Sequence, residues 1–186
     1  EVDLKKSKLK DILAGIENIS KKYYDEGMNA YTLGDYAQAS TLFGKAADAA
    51  ATEPLAKVDT TALYNAGFTA WMMKDYPRAE EYFNKCVEAG YYYEGGEVFA
   101  KLADIYNNTE RKDAARDILE NGFAKFPQSQ SILIGLINYY LDSKQSPDRL
   151  FELIGEAKKN EPNNASLYYV EGNIYNELGQ KDKAVE

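Results

Sequence analysis

The sequence predicts an all-α fold, an α-solenoid built from antiparallel helix pairs. Three observations predict it. A motif of small and aromatic residues returns along the chain at nearly even intervals. Apolar residues keep helical spacing, and nothing alternates with strand period over a useful length. Helix-start signals fall between the paired segments, where hairpins need them.

The elements follow in order. Residues 1–19 carry Leu9, Ile12, Leu13, Ile16 and Ile19 at helical spacing. This segment is expected to cover the open apolar face of the first repeat, or to run directly into its first helix. The stretch YYDEGMNAYTLGDYAQASTLFGKA (23–46) then aligns with LYNAGFTAWMMKDYPRAEEYFNKC (63–86). Gly27 meets Gly67, Ala30 meets Ala70, Asp35 meets Asp75, Tyr36 meets Tyr76, Ala39 meets Ala79 and Phe43 meets Phe83. Gly27, Gly67, Ala103, Asn138 and Gly172 mark the successive copies, and the step from Gly27 to Gly67 is the longest. Repeats are expected at 20–59, 60–95, 96–130 and 131–164, the last divergent, with Leu150 in place of the later alanine.

A small residue in one helix and an alanine in the next suit two helices that cross closely, since a larger side chain would push the axes beyond about 8–10 Å. The aromatic one turn after the alanine lies on the same face and fills the space alongside. Asp35 and Asp75 are expected to cap second helices, with Gln38 completing a capping box. Ser146-Pro147 reads as a helix entry. Gly90, Gly95 and Gly96 mark helix ends and a loop. The long first step places a lengthened connection at 49–58, around Pro54. Residues 165–186 read as the first helix of a truncated fifth repeat, with Ala184 and Val185 opening its second. The natural chain is expected to continue past Glu186. Otherwise the face bearing Ile174 and Leu178 needs another molecule, end-to-end self-association included.

This pattern resembles the tetratricopeptide repeat, a helix–turn–helix unit of about 34 residues. Small residue, aromatic and proline recur together, and Pro127 and Pro162 each close a repeat. The resemblance covers nearly everything from Ser20 onward. It implies a right-handed superhelix whose first helices line a concave surface, and a non-enzymatic scaffold that binds a peptide or helix of a partner protein there.

Composition excludes several other roles. The chain has 186 residues, 45% apolar, and a formal net charge of -8 from 30 acidic and 22 basic side chains. Such a surface repels phosphate backbones, so nucleic acid is not expected as a partner. Lys5, Lys6, Lys8 and Lys10 make a basic start, but Asp3, Asp11 and Glu17 interrupt it, as on a solvated helix face. No apolar run approaches the roughly 18–20 residues of a membrane-spanning helix. There is no histidine, so the commonest general base and imidazole ligand are missing. The single Cys86 cannot form a thiolate zinc site and sits where the repeat wants a small apolar side chain. Neither a phosphate-binding glycine loop nor a calcium loop is present, and Glu80 and Glu81 point to different parts of a helix surface. No cofactor, metal or enzymatic activity is expected. The chain begins at Glu1 without methionine, and a periplasmic or exported location after signal-peptide removal is favoured over a cytoplasmic one.

The unusual feature is aromatic content, with 16 Tyr, 7 Phe and one Trp. By the resemblance, inward-facing places carry Tyr24, Met28 and Tyr31 in the first repeat. The second repeat places Tyr64, Phe68 and Trp71 there, with Met72 beside them, the fourth Tyr139, and the fifth Tyr169 and Asn173. The third turns polar with Lys101, Asp104 and Asn107. An exposed row of Tyr, Met, Phe and Trp marks a binding surface. The alternative is that curvature or the N-terminal segment covers it. A second reading uses the same aromatic surface to stack on sugar rings, as a glycan-binding accessory protein of an exported system. A carboxylate clamp of the kind that captures chaperone C-termini is incomplete: Asn65 and Lys101 supply fragments, while Tyr24, Met28, Tyr64, Phe68 and Ala100 occupy the corresponding places. Tyr91, Tyr92 and Tyr93 are expected to pack at least one ring across the junction of the second and third repeats.

Overall fold

The computed structural model describes residues 2–184, and the described residues are helical with no strand. The helices are α1 (Val2–Thr32), α2 (Tyr36–Ala51), α3 (Thr60–Met72), α4 (Tyr76–Glu88), α5 (Glu97–Asn108), α6 (Lys112–Lys125), α7 (Gln130–Ser143), α8 (Pro147–Asn160) and α9 (Ala165–Glu177). They fall into two compact units, Glu1–Tyr93 and Glu94–Glu186.

Local chemistry starts and stops these helices. The carboxylates of Asp35, Asp59 and Asp75 accept from the N–H groups of Gln38, Ala62 and Arg78 at 3.0, 2.9 and 3.4 Å. Each satisfies a donor that has no partner inside its helix. The backbone N–H of Asp35 donates to the Ala30 carbonyl at 2.9 Å. It is therefore already engaged, and the reciprocal bond of a capping box with Gln38 is not formed. Pro147 opens α8 behind Ser146. The hairpin turns pass through a left-handed residue at equivalent places, Gly34, Lys74, Glu110, Lys144 and Gly179, with φ from 53° to 80°.

In the first unit, α1 runs unbroken into the first hairpin, so the second of the two arrangements expected for residues 1–19 is the one found. Leu9, Ile12 and Ile19 remain exposed on it. The α1–α2 and α3–α4 pairs close on glycine. A Cβ built on Gly27 would lie 2.9 Å from the Phe43 ring, and one on Gly67 3.1 Å from the Phe83 ring. Ala39 and Ala79 are fully buried beside these contacts. Two buried serines tie successive helices: Ser20 Oγ donates to the Ala46 carbonyl and Ser40 Oγ to that of Ala66, both at 2.9 Å. The connection from α2 to α3 runs through 52–59.

In the second unit, Phe99 packs on Phe126 with ring centroids 6.2 Å apart. Gly122 allows Phe99 and Ile132 to approach, and Gly135 lets Leu119 approach. Asn138, expected at the small-residue place of the fourth repeat, is exposed, and the buried residue there is Ile137. Counted from the marker residue, α7 reaches its left-handed turn residue, Lys144, one place sooner than its counterparts, which moves the alignment from Asn138 to Ile137. Arg149 of α8 pairs with Glu120 of α6, and Glu120 also accepts from the Tyr140 hydroxyl of α7 at 2.8 Å. Ile174 of α9 is buried, and Tyr175 stacks on Phe151 at 4.4 Å. Beyond Gly179, residues 181–184 form a turn, with the Ala184 N–H donating to Lys181 at 3.2 Å. Val185, expected with Ala184 to open a second helix, lies outside the described residues.

Candidate functional site

The candidate surface lies on α1 and α3. The two helices are joined by the Asn65 side-chain amide, which donates to the Tyr24 hydroxyl at 3.0 Å. Tyr24 is half-buried, its ring tilted against Phe43 at 5.3 Å. Met28 and Met72 are exposed, 41% and 37%. Tyr31 is half-buried against Tyr36, with centroids 5.6 Å apart. Phe68 and Trp71 are half-buried and stack on each other at 6.0 Å. Met28 and Tyr31 of α1, and Phe68, Trp71 and Met72 of α3, are each reached by water in part.

Tyr64 departs from expectation. It is only 7% exposed, so it is a core ring rather than part of an open row. The reason is the chain that leaves α4. It turns at Gly90, with φ 71°, and lays Tyr93 flat on Tyr64, 4.1 Å between centroids and 9° from parallel. Tyr91 meets the same ring edge-on at 6.3 Å, and Phe83 backs it at 5.9 Å. The tyrosine run therefore folds back over α3 of its own unit.

Beside Tyr24 the first unit holds a cavity of about 540 Å³. Tyr24 and Lys21 of α1, Leu55 and Lys57 of the connection, and Thr61 of α3 line it. Sequence reasoning missed Leu55, Lys57 and Thr61. The lengthened connection was their only signal.

In the second unit Tyr139 is half-buried and its hydroxyl is engaged. It donates to Asp113 at 2.8 Å and accepts from Arg116 at 3.2 Å. The bond to Asp113 raises the pKa of the phenol above its usual value. A cavity of about 500 Å³, lined by Asn107, Lys112, Asn138 and Asp142 among others, lies beside it. Lys101 is paired with Glu97 at 3.1 Å, and the Asn108 amide donates to Asp104. With Asn65 on Tyr24 and Lys101 on Glu97, both clamp fragments have local partners. Tyr169, at 72%, and Asn173 are exposed on α9. Cys86 is fully buried, and burial pushes its thiol pKa up to about 12. Among the described residues no cluster of three or more His, Cys, Asp or Glu could hold a metal ion, and no helix is long and apolar enough to cross a membrane.

A tetratricopeptide repeat family model matches residues 24–94, which contain this surface, and a second matches residues 165–186. The chain is a tetratricopeptide repeat protein. The glycine–phenylalanine contacts of the first unit are thus the helix contacts of tetratricopeptide hairpins. Solved tetratricopeptide structures share the fold. YrrB, described as a TPR protein with an unusual peptide-binding site, is 18% identical with a TM-score of 0.65, over 87% of this chain and 79% of that one. A MamA structure is 22% identical with a TM-score of 0.69, over 90% and 86%. The MamA fragment from residue 41 to the end, of Desulfovibrio magneticus RS-1, is 17% identical with a TM-score of 0.66, over 90% and 89%. At these identities the likeness carries the tetratricopeptide fold alone. No curated protein matches the chain with significance. The tetratricopeptide fold supports a role as a scaffold for protein–protein interaction, and proteins of this kind are typically not enzymes.

Proposed function

We propose that this tetratricopeptide protein binds a peptide or helix of a partner protein on the α1–α3 face, through Met28, Tyr31, Phe68, Trp71 and Met72. The observation that carries the reading is the partial exposure of these five side chains. Two are flexible thioethers and three are aromatic rings, and Met, Tyr and Trp are the residue types enriched at protein interfaces. Tyr24 and Tyr64 support the surface from beneath, Tyr64 wholly as core. The net charge of -8 favours a basic partner. The description of YrrB as peptide-binding belongs to YrrB; here it adds only that the fold has accommodated a peptide.

Affinity for a basic partner peptide, measured by calorimetry, is the test. Trp71→Ala is expected to weaken it by about 2 kcal/mol, the scale of a central anchor. Unchanged affinity in both Trp71→Ala and Tyr31→Ala would place the binding surface elsewhere. Titrating Trp71 fluorescence with soluble polysaccharides tests whether the same rings stack on sugars instead.

A further inference from the structure

Tyr24 and Tyr64 hold the same place in successive repeats, as Gly27 and Gly67 do. Each rests on the phenylalanine of its second helix in nearly the same pose: Tyr24 on Phe43 at 5.3 Å and 56°, Tyr64 on Phe83 at 5.9 Å and 53°. Their surroundings otherwise differ. Tyr64 carries Tyr93 stacked flat at 4.1 Å. Tyr24 carries no such ring among the described residues. The connection 52–59 passes it by and leaves the cavity of about 540 Å³. In the second repeat the chain itself thus stacks a ring on the tyrosine, while in the first a cavity lies beside it.

We infer that the cavity beside Tyr24 binds an aromatic side chain of a partner peptide, in the position that Tyr93 takes in the next repeat. The inference rests on the peptide-binding reading and gives it a ligand class. The cavity lies in the size range of small-molecule sites, and Leu55 gives it an apolar wall. Its charges select what flanks the ring. Lys21 pairs with Asp25 at 2.8 Å, and Asp59 caps α3. The lining carries three carboxylates, Glu17, Asp25 and Asp59, against Lys21 and Lys57. The excess of negative charge favours a lysine or arginine next to the aromatic.

The test uses the full chain, labelled with ¹⁵N, and three blocked dipeptides: acetyl-lysyl-tyrosine amide, acetyl-lysyl-alanine amide and acetyl-glutamyl-tyrosine amide. Lysyl-tyrosine is expected to shift the amide signals of Tyr24, Leu55 and Thr61 saturably, with affinity at least about five-fold above that of the alanine peptide, the scale of one ring stack. The glutamyl peptide is expected to bind more weakly than lysyl-tyrosine. Thr61→Trp fills the cavity from an exposed position and is expected to abolish the saturable shifts, with circular dichroism and melting unchanged. Tyr24→Leu keeps an apolar side chain and is expected to remove the preference for tyrosine over alanine. Equal binding of the tyrosine and alanine peptides, or no saturable shift at these amides, overturns the inference. Shifts confined to Met28 and Trp71 would overturn it too while leaving the peptide-binding reading standing. That wider reading fails separately, if partner affinity ignores Trp71→Ala and Tyr31→Ala.

Discussion

The ring of Tyr93 lies flat on that of Tyr64, 9° from parallel and 4.1 Å away, although Tyr93 itself is 43% exposed. A loop residue thus seals a core ring. Tyr93→Ala is expected to lower stability by about 1 kcal/mol, the scale of an aromatic pair beyond its buried area. Tyr93→Phe keeps the stack and is expected to keep the stability. Urea unfolding followed by circular dichroism compares the two.

Gly67 and Gly155 are helical glycines in opposite situations. A Cβ at Gly67 would stand 3.1 Å from Phe83 and 3.2 Å from Tyr82, whereas one at Gly155 meets nothing within 4 Å. Gly67→Val is expected to destabilise by about 1–3 kcal/mol through overpacking. Gly155→Ala is expected to stabilise by about 0.5–1 kcal/mol, because alanine loses less backbone freedom in a helix. Thermal melts of the two variants should move in opposite directions.

Burial holds the Cys86 thiol protonated, with its pKa pushed up to about 12. The thiolate is the reactive form. The folded protein at pH 8 is therefore expected to ignore a disulfide reagent that labels it at once in denaturant. The colour change on thiol release gives the measurement, and fast labelling of the native chain would contradict the buried position.

Burial works against the charge on Glu120, but the bonds from Arg149 and Tyr140 outweigh it and hold the carboxyl below its ordinary value of 4.5. The folded pKa is lowered, so the charged form contributes stability above the unfolded value. That contribution is lost as pH falls through the lower, folded value. Melting temperature is expected to fall as the pH drops below 4.5, the ordinary value of the group, and to fall less in Glu120→Gln, which cannot ionise.

Much of the candidate site was legible in local pattern, and the part that was not has a common cause. Gly27, Gly67, Phe43 and Phe83 announce their contacts because helix geometry ties spacing to direction. The same rule relates Met28 of α1 to Phe68 of α3, each one residue after its glycine. It is silent on Tyr64, whose burial depends on a non-helical strap beyond the end of α4 that passes through a left-handed backbone at Tyr93, φ 58°. It is equally silent on the cavity at Tyr24, whose walls come from three helices and a loop. Asn138 misled because the left-handed turn residue after it, Lys144, comes one residue sooner than in the other repeats, and a single residue rotates a helical face by about 100°.

By itself, the order of residues determined the all-helical class, the pairing of helices through small residues, the aspartate caps and the family. These follow from steric contacts and hydrogen bonds that short periodic segments dictate. Only the tertiary structure decided which of two equivalent tyrosines is sealed and which faces open space. That choice belongs to the connections between hairpins, whose paths are set by distant packing and leave no period in the chain.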